Sequence, residues 1–129
     1  MNPDYFKTVF LFSKLPEFWP FEFAIITACN PMDKKLSEAE NSNRQQKLLD
    51  RIGNKFFFQL YGCSLDHTHR EQSFALTCSR KEALEIGNEF GQRAVFYVTN
   101  GNLELMDCKN GSKKGMGNFI KRVCLSEPE

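Results

Sequence analysis

The side chains most able to do chemistry in this chain are Asn30, Glu40, Asn41 and Arg44, all within the polar stretch 30–44. If residues 38–52 form a helix, Asn41, Arg44, Leu48 and Ile52 fall on adjoining i+3 and i+4 positions, so the side that is apolar near the helix end carries Asn and Arg near its start. A guanidinium turned inward needs acceptors, because burying its donors unpaired is costly. A carboxylate or phosphate would supply them, and the free N–H groups at a helix start favour an anion at the same place. Asn30, closing the apolar run before the helix, points there too. The pattern suggests a site for an anionic small molecule or nucleotide. A purely structural account competes with it. Ser37 and Glu40 have capping-box spacing, Arg44 stands four residues after Glu40 at ion-pair spacing, and Asn30-Pro31 is a common turn opener.

Other constellations are less complete. Both histidines, His67 and His69, lie in Asp66-His67-Thr68-His69-Arg70-Glu71, where an extended backbone would put two imidazoles on one side. A metal would need a third ligand from Asp66, Glu71 or a distant residue, so no metal is expected, with His67 and His69 as secondary candidates. Either histidine could serve as a general base only if the fold brought it to the junction. Cys29, beside Asn30, could be a nucleophile, but it ends an apolar strand and reads more simply as an inert buried thiol. Residues 111–115, Gly-Ser-Lys-Lys-Gly, lack the spacing of a phosphate loop.

The elements that must position these residues follow from periodicity and punctuation. Residues 5–12 read as a strand, Pro16 and Pro20 bound a linker holding Phe18 and Trp19, and residues 21–28 read as a central strand covered on both faces. The Ser37/Glu40 pair and the Gly53-Asn54 stop frame a helix over residues 38–52. A third strand is expected over 55–63, with Gly62 marking a bulge or its end, and a fourth over 72–78. A second capping box, Ser79 with Glu82, opens a helix that Gly91 closes. Residues 94–99 and 103–107 alternate around Asn100-Gly101-Asn102 as a tight hairpin. The Gly- and Lys-rich segment 109–117 is expected to be mobile, residues 118–125 to form a short strand or helix that docks Phe119, Ile120 and Val123, and residues 126–129 a frayed end. The order predicts one α+β domain: a mixed or antiparallel sheet of about five to six strands with two main helices packed on it.

Composition narrows the function classes. A chain of 129 residues, 41% hydrophobic, can bury one core without staples. Seventeen Lys plus Arg against sixteen Asp plus Glu give a net charge of +1, which offers no broad field for nucleic acid or anionic membrane. Nucleic acid could be met only through the Lys-rich tail, Lys109 to Arg122. Five cysteines without a C-x-x-C pair suggest free thiols in a reducing cytoplasm. The N-terminal residues lack a signal-peptide pattern, so the chain is read as mature from Met1, and no run approaches the roughly eighteen to twenty apolar residues of a membrane span.

Thr27-Ala28 followed by Asn30-Pro31, then Ser37, Glu40, Asn41 and Arg44, then Ser73-Phe74, Glu82-Ala83, and Phe90-Gly91-Gln92 with Ala94 together make a recognisable set. In these residues the chain resembles the bacterial family called domain of unknown function 3293, over about residues 23–106. It departs from the family pattern at Gln72, where a Pro is usual, and at Cys29, where an aromatic is usual. The resemblance implies a bacterial or phage cytoplasmic protein with no known reaction, and it adds Gln92 to the candidate ligand set of Asn30, Glu40, Asn41 and Arg44.

Three readings emerge. The first is a domain binding an anionic small molecule at the junction; its cofactors, if any, are not specified by the residues. The second is a protein-interaction module, an inhibitor or regulator in phage–host conflict, which would expose an apolar patch around Phe18 and Trp19. The third is a hydrolase or transferase using His67 or His69 with Glu40 as acid and base, which requires those side chains to converge. The lack of a full catalytic set favours binding over catalysis.

Overall fold

The computed structural model describes residues 3–125. A short 3-10 turn, Pro3–Lys7, leads into β1 (Val9–Phe12), and β2 (Glu22–Ile26) follows the proline-bounded linker. Helix α1 (Glu38–Ile52) is capped by Ser37, whose hydroxyl accepts from the Glu40 N–H while the Glu40 carboxylate accepts from the Ser37 N–H. Strands β3 (Phe56–Cys63) and β4 (Arg70–Leu76) form a hairpin. Helix α2 (Arg80–Glu89) has only half of the expected capping box: Ser79 accepts from the Glu82 N–H, but the Glu82 carboxylate turns to Lys55. Strands β5 (Ala94–Thr99), β6 (Asn102–Asp107), β7 (Lys113–Asn118) and β8 (Val123–Leu125) complete the chain.

The sheet has eight strands in the order β7-β6-β5-β2-β4-β3-β1-β8, antiparallel throughout except for the parallel pair β1–β8. This corrects the expected five to six strands. Part of the segment expected to be mobile, residues 113–117, pairs with β6 as β7, and residues 123–125 pair with β1 as β8. Residues 113–117 lack strand-forming composition, and an available edge rather than intrinsic propensity makes them a strand, while residues 123–125 take the strand alternative expected of 118–125. The reading of residues 126–129 lies outside the described residues. The β5–β6 turn matches its sequence signal, with Asn100 and Gly101 at φ 48° and 79°.

Alternation sends the side chains to two cores. Ala24, Ile26, Phe74, Leu76, Val95 and Tyr97 face the helices and pack against Leu48 and Ile52 of α1 and Ala83 and Ile86 of α2. The opposite face carries Phe10, Phe12, Phe23, Ile25, Leu60, Ala75, Val98 and Leu105. Neither α1 nor α2 covers that face; the sheet curls over it, and Tyr5 and Phe6 of the N-terminal 3-10 turn pack against it. Phe10 of β1 and Phe96 of β5 meet edge to face at 5.1 Å between centroids. In a flat sheet four strand spacings would hold them roughly 19 Å apart. Phe119, just after β7, reaches Phe10, Trp19 and Phe23, and Arg122 donates to the Phe6 and Thr8 carbonyls, so both sheet edges fold inward. A bulge that helps this bend lies between Phe56 and Phe58, while Gly62 marks the end of β3, the other alternative expected of it. It sends Phe56 to the helix-side core and both Phe57 and Phe58 to the concave one. Among the described residues no helix is long and apolar enough to cross a membrane.

Candidate functional site

Where β2 ends, the backbone leaves the sheet and its amides and carbonyls need new partners. The polar stretch of α1 supplies them. Gln45, 5% exposed, accepts from the Ala28 N–H at 2.6 Å and donates to the Gln72 carbonyl at 2.7 Å, which also accepts from the Thr27 hydroxyl at 2.7 Å. Asn41 pairs with Asn30 twice, its oxygen accepting from the Asn30 N–H and its amide donating to the Asn30 side-chain oxygen, both at 3.0 Å. Arg44 turns inward, as the periodicity suggests, and its companions are carbonyls. Its Nε donates to Ala28 O at 2.6 Å and one terminal nitrogen donates to Phe90 O. Glu40 makes no pair with Arg44 there; it stays on the helix cap with Ser37, which holds its carboxyl below the ordinary range.

The loop before β5 completes this fastening. Gln92 donates to the Cys29 carbonyl at 3.1 Å and to Phe90 O at 3.3 Å, and the Met32 N–H donates to Gly91 O at 2.7 Å. Gly91 sits at φ 69°, and a Cβ there would meet the Pro31 side chain at 3.0 Å. The fastening holds three non-glycine residues in the left-handed region: Asn30 at φ 48°, Met32 at 52° and Asp33 at 62°. Such residues persist only when their surroundings over-determine them. Here the result is that Asn30 and Asp33 are aimed back over the end of the sheet.

They face a cavity of about 520 Å³ on the concave side. Its apolar wall is made by Tyr5, Phe10, Ile25 and Phe96, and its polar wall by Thr27, Asn30, Asp33, Glu71, Ser73 and Gln92. Gly62, paired with Glu71 across the β3–β4 hairpin, keeps room open: a Cβ there would lie only in ordinary contact, 3.8 Å from the Ser73 hydroxyl and 3.9 Å from Thr8. Of the candidate residues, Asn30, Gln92 and His69 line this cavity, whereas Glu40, Asn41, Arg44 and His67 do not. The convergence of a histidine with Glu40 is therefore not found. His69 instead places Nε2 3.6 Å from Glu71, on a rim where its side chain is 68% exposed.

Glu71 is the central group. Its Oε1 accepts from the Asn30 amide at 3.0 Å. Burial pushes its carboxyl above the ordinary value of 4.5, reinforced by Asp33 and opposed by Asn30 and His69. Asp33 accepts from the Tyr5 hydroxyl at 2.8 Å and pairs with Arg93 at 2.9 Å, and burial together with Asp33 pushes the Tyr5 hydroxyl well up. Asp66 accepts from the Ser64 and Thr68 hydroxyls and the Thr68 N–H, which hold it at about 2. Tyr5 and Asp33 give no signal of a site in the sequence, where Gly62 stands only as a bulge or strand end, Ser73 only as part of the family motif set, and Glu71 only as a possible third metal ligand. Period-two alternation of Glu71, Ser73 and Ala75 was the available signal, but it shows only a shared face, not that the sheet closes over it.

The remaining candidates do not assemble a centre. Cys29 is buried and its thiol is pushed up, chiefly by loss of water, so it is no thiolate. Burial likewise raises Cys78 to about 12 and Cys108 to about 11. Among the described residues no group of three His, Cys, Asp or Glu is placed to hold a metal ion. Trp19 packs against Phe12, Phe23 and Phe119, while Phe18 is 76% exposed, so the two do not share one surface patch.

No curated protein and no solved structure matches the chain. A family described as "Protein of unknown function (DUF3293)" matches residues 26–95. That span runs from the end of β2 to the start of β5, and it holds the whole fastening and the polar wall of the cavity, while Tyr5, Phe10 and Phe96 lie outside it. Since the match covers more than half of the 129 residues, the chain belongs to this family.

Proposed function

We propose that this chain is a binding domain that takes a small organic molecule into the cavity of its curled sheet. The observation that carries the reading is a carboxylate, Glu71, fixed by Asn30 at the polar end of a chamber whose other wall is aromatic. Its volume is in the usual range for organic ligands, roughly 300–1,000 Å³, and an apolar wall with a few converging polar groups is the usual make-up of such sites. The junction contributes through Asn30 and Asp33, with α1 behind it as support. An anionic ligand, the expectation from sequence, is disfavoured: Asp4, Asp33, Asp66 and Glu71 line the cavity against Lys7 and His69, and the donors of Arg44 that pointed to an anion serve the Ala28 and Phe90 carbonyls.

Gly62→Phe tests the reading. The backbone at Gly62 accepts a side chain without strain, and a ring built there projects toward Ser73 and Thr8, into the cavity. Ligand-observed NMR with a fragment mixture of cationic, neutral and anionic members should give hits on the wild type that disappear in Gly62→Phe, with thermal unfolding showing the variant folded. Hits that survive the filling place binding elsewhere and overturn the proposal.

A further inference from the structure

The cavity reading can be taken to a ligand class by following each carboxylate around its wall. Asp33 is neutralised by Arg93 at 2.9 Å, Asp66 is saturated by Ser64 and Thr68, and Asp4 is engaged in an interaction of its own. Glu71 has a neutral amide, Asn30, and a half-distant imidazole, His69 Nε2 at 3.6 Å, on a rim that water reaches. Both contacts use Oε1, which leaves Oε2 for a ligand. Asn30 cannot be the missing countercharge, and its side-chain oxygen is already shared between the Leu36 N–H and the Asn41 amide. Three rings line the same chamber: Phe96 meets Tyr5 and Phe10 edge to face at 6.5 and 5.1 Å between centroids. A carboxylate oxygen and aromatic rings lining one chamber can together recognise a cation on an apolar frame, by a charge-assisted hydrogen bond to the oxygen and attraction to the rings.

Resting on the cavity reading, we infer that the ligand carries a protonated nitrogen on an aromatic or otherwise apolar body, with the nitrogen on Glu71 and the body against Tyr5, Phe10 and Phe96. The polar wall fixes orientation, since the nitrogen must enter toward the Asn30–Glu71 end. A neutral alcohol of the same shape keeps the ring contacts and loses the charge. A carboxylate of the same shape meets Glu71 as a like charge.

The test uses matched probes: phenethyl, indolylethyl and naphthylmethyl compounds, each as the ammonium, the alcohol and the carboxylate, titrated into wild type and Glu71→Gln by NMR. Glutamine can still accept from Asn30, so the variant keeps the wall in place. The inference expects ammonium members to bind wild type about tenfold or more tightly than their alcohols, the factor expected of one charged hydrogen bond. Glu71→Gln should remove that preference, by weakening the ammonium members far more than the alcohols. Alcohols or carboxylates that bind wild type as well as the amines do would overturn the ligand class and leave the cavity reading standing. Probes that all fail on wild type, or bind Gly62→Phe equally well, overturn both.

Discussion

Replacing Arg44 by Met separates a fastening from a ligand-binding side chain. Methionine keeps most of the aliphatic stem and removes the donors to Ala28 O and Phe90 O. The Phe90 carbonyl retains the Gln92 amide at 3.3 Å, so its loss is that of an ordinary hydrogen bond, about 0.5–1.5 kcal/mol. Ala28 O loses a charged donor at 2.6 Å, about 1.5–3 kcal/mol. The sum is about 2–4.5 kcal/mol, toward the lower figure because Arg44 is only half-buried. With an unfolding entropy of about 0.27 kcal/mol/K for a chain of this length, the melting point should drop by about 7–17 °C. Urea unfolding should show a lower midpoint at an unchanged slope. Arg44→Lys should recover less than half, since one ammonium cannot reach both carbonyls in the geometry of the guanidinium fork. An Arg44→Met protein that melts with wild type, and loses binding of phosphates or nucleotides instead, would refute this reasoning and return Arg44 to the role of anion ligand.

Other consequences can be checked by unfolding measurements. Because burial raises the Glu71 carboxyl above 4.5, the folded state binds its proton more tightly than the unfolded chain. Stability should therefore fall as pH rises from 4.5 through the folded value, and Glu71→Gln should flatten that slope and melt higher than wild type near neutral pH; an unaltered profile would count against a strained carboxylate. Met32 is 53% exposed at φ 52°, so Met32→Gly should stabilise by up to about 1 kcal/mol, read as a higher urea midpoint. A Cβ on Gly87 would stand 2.7 Å from the Cys108 sulfur and 2.8 Å from a Val95 methyl. Gly87→Ala should accordingly cost about 1–3 kcal/mol despite its better helix propensity, and a more stable variant would show that α2 shifts freely on the sheet.

The helices and the β5–β6 hairpin were legible because their signals are local. Ser37 with Glu40 and Gly53 frame α1 within its own residues, and Asn100-Gly101 specifies a turn by φ alone. The inward turn of Arg44 was also legible from periodicity, but its partners were not, since Phe90 lies 46 residues away. A carbonyl offers no side-chain signature by which such a partner could be recognised. β7 was hidden for a related reason: Lys113-Lys114-Gly115 is a strand only because β6 presents an edge to it. The cavity depends on the curl of the whole sheet, and Tyr5, Gly62, Glu71 and Phe96 reach it from four separate segments. Nothing near Glu71 in the chain marks it as enclosed.

The fastening around Asn30 joins Asn41 and Arg44 on one helix to Phe90, Gly91 and Gln92 beyond the other. Its members are therefore not independent: once one clasp opens, the left-handed backbone it restrains can relax, and the next substitution should do less harm than it would alone. Sequence drift in this protein is constrained as epistasis between two distant loops, so tolerated changes there should come in compensating sets rather than singly.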